Sequence, residues 1–200
     1  MSDNVWNEIR SDYDAYYYSS FTWLPDPTKG NLKRRWERVD TIVLRGTWPA
    51  VVCFRLKAWA ARRGIPLLPF ICDTLNRIFW GVVIGDGVQI GRGLCLVHGY
   101  VVIDGRVTIG RNCFINPQVT IGLRGGEGFT LDGPKIGDDV YIGAGAKVLG
   151  PITVGDDVTI GANAVVITDI PDNHTAVGAP ARAIPKKTTP AQRRQQRRQA

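Results

Sequence analysis

Histidine is nearly missing from this 200-residue chain, which holds two, His98 and His174, and a single methionine. A side chain that titrates near neutral pH must therefore be sought at two positions. Long hydrophobic runs are missing too, and no apolar stretch reaches the roughly 18 residues of a membrane-spanning helix. The opening MSDNVWNEIRSDYD carries acids and lacks the apolar core of a secretory leader, so a cytoplasmic location is expected. The four cysteines, Cys53, Cys72, Cys95 and Cys113, are spaced by 19, 23 and 18 residues. No zinc site has that spacing, so no metal is expected, and the thiols read as free and buried in a reducing compartment.

What is present divides the chain. Residues 1–80 hold all six tryptophans and three of the 23 glycines, and the other 20 glycines follow. Charge is divided as well: residues 1–80 carry +4, residues 81–185 carry −3 and residues 186–200 carry +6 of the net +7. The excess thus sits in a Gln/Arg-rich tail, KKTTPAQRRQQRRQA, which reads as a solvated, disordered end. It has none of the aromatics of a base-stacking platform, so no specific nucleic-acid partner is expected. Three regions follow: a helical region 1–80, a repeat domain 81–185 and the basic tail 186–200.

The helical region begins with NVWNEIRSDYDAYYY, where Val5, Ile9, Tyr13 and Tyr16 share a face. Pro25 and Pro27 break the pattern. Further helices are predicted at 31–44, at 50–63 (basic and amphipathic, closed by Gly64 and Pro66) and at 68–80. The basic, aromatic composition of 48–80 admits weak contact with a membrane surface. The favoured alternative is that these helices cover an end or edge of the following domain.

From Ile84 the sequence counts in sixes: IGDGVQ, IGRGLC, LVHGYV, a seven-residue VIDGRVT, then IGRNCF and INPQVT. An interruption covers 123–135, after which IGDDVY, IGAGAK, VLGPIT, VGDDVT and IGANAV resume the count. An aliphatic residue opens every unit and Gly follows it in seven of the ten hexads. Such a period describes a β-helix, in which each unit is one short strand and a turn and three units make a coil. The inward aliphatic residue stacks on its equivalent one coil on. Twelve units predict about four coils, and a mainly β protein with an N-terminal α-helical region. The insertion is expected as a surface loop bordering the functional groove, with Arg124, Glu127 and Asp132 as its polar groups.

These repeats resemble the hexapeptide-repeat acyltransferases, and among them the serine acetyltransferases and their relatives in polysaccharide gene clusters. The similarity rests on IGRGLCLVHG, PKIGDDVYIGAGAKVLGPITVGDDVTIGANAVV and DIPDNHTAVGAPARAI, with a weaker echo in EIRSD (8–12) and RLKAWAARRGIPLLPFICDTLNR. It implies a left-handed parallel β-helix, a homotrimer with sites between neighbouring β-helices, and acetyl-CoA as co-substrate. It also implies that His98 is the general base toward an acceptor hydroxyl. A turn position in a β-helix ordinarily takes Gly, Asn or Asp, so a histidine there invites a role. His174 reads as structural or exposed. Gly143, Ala144, Gly145, Ala146, Gly161 and Ala162 are the expected contacts of the pantetheine arm, with Lys147 and Arg182 for the CoA phosphates.

Two departures from the family pattern bear on the acceptor. The family carries Asp before the base histidine, and this chain has Val97, which can accept no hydrogen bond. Where the family ends its loop with Arg-His-Pro-Lys-Ile, this chain has Asp132-Gly133-Pro134-Lys135-Ile136, and the segment after His98 is one residue shorter. Asp12, Asp104, Glu127 and a backbone carbonyl remain as alternative orienters of His98. Three readings follow: O-acetyl transfer to serine, O-acetyl transfer to a sugar or polysaccharide precursor, and a non-enzymatic β-helix scaffold.

Overall fold

The computed structural model describes residues 4–19, 46–126 and 130–187. The helix expected at 31–44, Glu127 and nearly all of the basic tail lie outside them. Helix α1 spans Val5–Ser19, α2 Trp48–Arg62 and α3 Leu67–Leu75, the last running on as a π-helical turn over Asn76–Trp80. Pro49 in the first turn of α2 fits a position whose amide has no helical partner. Gly64, at a φ of 68°, lets the chain leave it.

Among the described residues fifteen short strands follow, in three sheets that form the faces of a triangular prism. Face A stacks β1 (Val83–Ile84), β4 (Val102–Ile103), β7 (Thr120–Gly122), β10 (Lys147–Leu149) and β13 (Val165–Val166). Face B stacks β2 (Gln89–Ile90), β5 (Arg106–Ile109), β8 (Asp132–Ile136) and β11 (Thr153–Val154). Face C stacks β3 (Cys95–Leu96), β6 (Phe114–Ile115), β9 (Tyr141–Ile142), β12 (Thr159–Ile160) and β14 (His174–Val177). All of these pairings are parallel, and β15 (Arg182–Pro185) closes face C antiparallel to β14.

The predicted stacks are the core. Ile84, Ile103, Ile121, Val148 and Val166 stack along face A, and Leu96, Ile115, Ile142, Ile160 and Ala176 along face C. A second inward layer comes from the fifth position of the hexads, where Leu94, Val107, Cys113, Val119, Val140, Ala146, Val158 and Ala164 are buried, and from Val101, the sixth residue of the unit that opens at Leu96.

Four sequence readings are refined. There are five coils, because Ile170 bridges to Val154 and β14 follows. This last coil, ITDIPDNHTAV, lacks the hexad consensus. The interruption ends earlier than Lys135: Asp132 already pairs with Arg106 in face B, and Gly133 and Pro134 are buried. The extra residue of the seven-residue unit also moves. Ile103, fully buried, is the stacked residue, whereas Val102 is 38% exposed. The long unit is therefore Leu96–Val102, and its added residue falls in the turn that carries His98. Finally, the helix face that α1 buries is Val5, Glu8, Ile9, Asp12 and Tyr16, while Tyr13 stands at its margin, edge-on to Trp48 at 5.6 Å.

The open end of a β-helix presents unpaired strand carbonyls on all three faces. Here α2 and its N-cap residue, Thr47, satisfy them. Lys57 Nζ donates to the Ile84 carbonyl (2.8 Å) on face A. Arg55 donates to the carbonyls of Ile90 (2.7 Å) and Gly91 (2.6 Å) on face B. The Thr47 hydroxyl donates to that of Leu96 on face C. Ala50, Val51 and Phe54 of the same helix join the β-helix core. Both cations are buried and paired: Arg55 with Asp12 (2.7 Å), and Lys57 with Asp73 and Asp86 (2.8 Å each). The helices thus cover an end, as favoured. Arg55 and Lys57 are therefore not open to a membrane surface, whereas Arg62 and Arg63 at the end of the same helix are exposed. Among the described residues no helix is long and apolar enough to cross a membrane.

Candidate active site

A corner joins each pair of faces, and the corner between C and A gathers most of the candidate residues. In the first coil it is Val97–Tyr100, with His98 exposed at its tip. In the second it is Asn116–Gln118, in the third Gly143–Gly145, in the fourth Gly161–Asn163 and in the fifth Gly178–Ala181. Strands in neighbouring coils lie roughly 4.8 Å apart. The Gly143 and Gly161 corners thus sit about 10 and 14 Å below His98 along one edge. Asn116 and Gln118 lie between them. The sequence reading passed over these two, although the six-residue phase aligns them with His98.

Packing between coils accounts for small residues along this edge. A Cβ on Gly143 would lie 2.6 Å from the Ala162 amide nitrogen, and one on Gly145, at φ 73°, 2.1 Å from Asn163 Oδ1. Ala144 and Ala162 are exposed on the edge, whereas Ala146 points into the core and is fully buried, so its side chain is not open to a ligand. Lys147 lies on β10 just past the corner, its ammonium donating to the Gln118 carbonyl at 2.7 Å. Arg182, at the start of β15, is exposed. One edge therefore carries an imidazole at its top, close-packed turns below it, the Lys147 ammonium among those turns beside Gln118, and Arg182 at the bottom.

The proposed orienters of His98 are elsewhere. Asp12 is fully buried, accepting from Arg55 Nε (2.7 Å) and Nη2 (3.1 Å) and from the amides of Gly93 (2.8 Å) and Leu94 (2.9 Å). Burial pushes its carboxyl up, against the pull of Arg55 and the two amides. Asp104 stands at the next corner, between A and B, where it accepts from the Gly105 amide at 2.9 Å. Arg124 is exposed in the loop that leaves that same A/B corner, and Asp132, where β8 begins, faces Arg106 at 3.4 Å. Glu127 lies outside the described residues. Among the described residues no hydrogen bond holds the His98 ring. Face A separates the loop corner from the His98 corner, so among the described residues one chain does not bring the two sets together.

The remaining features are structural. His174 Nδ1 meets the Asp172 carbonyl at 2.7 Å within its own turn. Cys72, Cys95 and Cys113 are buried, and none of the four cysteines is in a disulfide. Burial pushes the Cys113 thiol up to about 12 and that of Cys53 up to about 11. No cluster of His, Cys, Asp or Glu suited to a metal occurs among the described residues. A groove of about 290 Å³ lined by Asn112, Phe114, Asp139, Val140 and Tyr141 lies by the B/C corner, away from His98.

Fold and edge together define a class. The six-repeat bacterial transferase hexapeptide family matches residues 133–168, and the chain is a left-handed parallel β-helix of the hexapeptide-repeat acyltransferases. Among curated proteins it is 41% identical over 170 residues to a serine acetyltransferase of Helicobacter pylori strain J99, covering 80% of this chain and 91% of the relative. It is 39% identical over 136 residues to that of Synechococcus elongatus, covering 68% of this chain but only 55% of the longer relative. A serine acetyltransferase solved in complex with CoA superimposes with a TM-score of 0.70 at 26% identity, over 90% of this chain and 69% of the other. The chain belongs to the serine acetyltransferase family.

Proposed function

We propose that this chain is a cytoplasmic acetyl-CoA-dependent O-acetyltransferase in which His98 is the general base and residues 81–185 form the catalytic domain. One observation carries the reading: His98 and the close-packed turns share a single edge of the prism, with the Lys147 ammonium among the turns and Arg182 at the lower end. The pantetheine arm runs along that edge, its thioester toward His98 and its phosphates toward the two cations. The relative solved with CoA supports such a co-substrate. The imidazole takes the proton of the acceptor hydroxyl as its oxygen attacks the thioester carbonyl. The tetrahedral intermediate then collapses, the C–S bond breaks, and the CoA thiolate recovers the proton from the imidazolium. The products are an acetyl ester and free CoA.

The loop at the A/B corner reaches the His98 corner of a neighbouring copy, which makes the active unit a homotrimer with its sites between chains. Such an arrangement lets a second copy supply an orienting group that the described residues of one chain do not give His98. Serine is the acceptor suggested by the family. A saccharide hydroxyl is the second reading, favoured by the apolar Val97 beside the base. The test is release of free CoA from acetyl-CoA, followed by chromatography so that the protein's own thiols do not interfere, with L-serine and a set of glycosides. Acceptor-dependent release is expected. Release with none of them, from protein that a CoA resin fails to retain, overturns the proposal in favour of a non-enzymatic scaffold.

A further inference from the structure

The turn that carries His98 departs from its counterparts on the same edge. From Leu96 to the next inward residue, Val101, the chain takes five steps where the following coil, from Ile115 to Val119, takes four. The added length ends in Tyr100, whose φ of 62° lies in the left-handed region. The other described non-glycine residues in that region are Asn112, Gln118, Asp139, Asp157, Asn163 and Asn173, small or flexible polar side chains. An aromatic residue there is an outlier, and strained positions of this kind cluster where a ligand is held.

The strain is held in place. The Tyr100 amide donates to the Trp80 carbonyl at 2.9 Å. A Cβ on Gly99 would lie 1.9 Å from that same carbonyl oxygen, and a Cβ on Gly81 would lie 2.9 Å from Tyr100 Cδ1. One part of the ring thus rests on the Gly81 backbone, yet the residue is 73% exposed. The core does not use the ring, since Val101 fills the inward position. Half-buried Val97 lies on the other side of His98, and Val102, next along β4, is 38% exposed. The base is flanked by apolar and aromatic surface. Carboxylates are absent from the same place: the corners Val97–Tyr100, Asn116–Gln118, Gly143–Gly145, Gly161–Asn163 and Gly178–Ala181 contain none. Within one chain these corners offer no carboxylate to the ammonium of an amino-acid acceptor.

We propose that Tyr100 is the acceptor platform of the site, and that the acceptor is a neutral saccharide whose ring lays its C–H face on the Tyr100 ring while presenting a hydroxyl to His98. The inference rests on the O-acetyl transfer reading and narrows its acceptor class. An aromatic face is a good partner for the apolar face of a sugar and a poor one for a small zwitterion.

The test is steady-state CoA release with methyl glycosides of glucose, galactose and mannose, and with L-serine, for the intact chain, Tyr100→Asn and Tyr100→Phe. Asn suits the left-handed turn and removes the ring, while Phe keeps the ring. Expected are turnover with a glycoside in preference to serine and a rise of at least tenfold in glycoside KM for Tyr100→Asn. That variant should keep the acetyl-CoA KM and the melting temperature of the intact chain, and Tyr100→Phe should remain within a few-fold of it. Preference for serine, or an unchanged glycoside KM in Tyr100→Asn, overturns the inference and leaves acetyl transfer standing. A fall in melting temperature with both KM values altered alike also overturns it, by making the ring structural. Turnover with neither acceptor class overturns the reading of function and this inference together.

Discussion

Replacing Asp12 by Ala tests whether the helices close the β-helix as described. The carboxylate is fully buried and accepts from Arg55 twice and from the Gly93 and Leu94 amides. Alanine leaves a buried guanidinium without its carboxylate and two amides without acceptors. Breaking a buried ion pair by removing one partner costs about 3–5 kcal/mol. For a chain of this size each kcal/mol moves the melting temperature by about 2–4 °C, so a fall of roughly 10 °C is expected. The control is Asp132→Ala, whose partner Arg106 is 66% exposed. That change should cost about 1 kcal/mol or less. Thermal unfolding followed by circular dichroism at one fixed protein concentration reads both, because association itself shifts apparent stability. Turnover per folded chain, measured well below the transition, should be unchanged in Asp12→Ala, since Asp12 is spent on Arg55. A melting temperature within 2 °C of the intact chain would refute the buried pair, and a selective loss of turnover without unfolding would return Asp12 to the site.

Three further outcomes are expected. Gly99→Ala, whose Cβ would lie 1.9 Å from the Trp80 carbonyl, should displace the His98 turn and lose most turnover, whereas Gly125→Ala, with nothing within 4 Å, should fold as the intact chain does; equal behaviour of the two in melting and rate assays would contradict the packing. Alkylation by iodoacetamide at pH 8, read by mass spectrometry, should spare Cys113 and Cys53, because thiols pushed up to about 12 and 11 hold almost no thiolate there. All four cysteines should react in guanidinium, and rapid labelling of Cys113 in the native protein would refute its burial. Deleting residues 124–131, which leaves β8 whole, should abolish turnover without disturbing the oligomer. Mixed oligomers of that chain with His98→Ala should regain part of the activity if each site joins the His98 corner of one copy to the loop of another, and no recovery would assign both to the same chain.

The six-residue phase made most of the β-helix legible, because the stacked residue of each unit must be aliphatic and the turn after it must be narrow. It failed where that rule is silent. Val101, Val102 and Ile103 are three β-branched residues in a row, and only stacking on Ile84 and Ile121 decides that Ile103 points inward. The added residue was therefore misplaced by one unit, and with it the special geometry of the His98 turn. The segment Asp132–Lys135 lacks the repeat, yet pairs along face B through backbone bonds that are indifferent to side-chain pattern. EIRSD was visible as a motif, but its partner Arg55 lies 43 residues beyond Asp12 and is reached only once α1 and α2 dock. The edge that unites His98 with the close-packed turns could be read from the phase alone. The position of the loop could not, since it leaves from another corner, on the far side of face A from His98.

The central claim is a His98-dependent acetyl transfer, and His98→Ala tests it most directly. The variant should be retained by a CoA resin and melt like the intact chain, because the His98 side chain is exposed and unbonded among the described residues. Its acceptor-dependent CoA release should fall by about 10²–10⁴, the loss expected of a general base. Turnover within a few-fold of the intact chain, from protein that binds CoA equally well, would contradict the account.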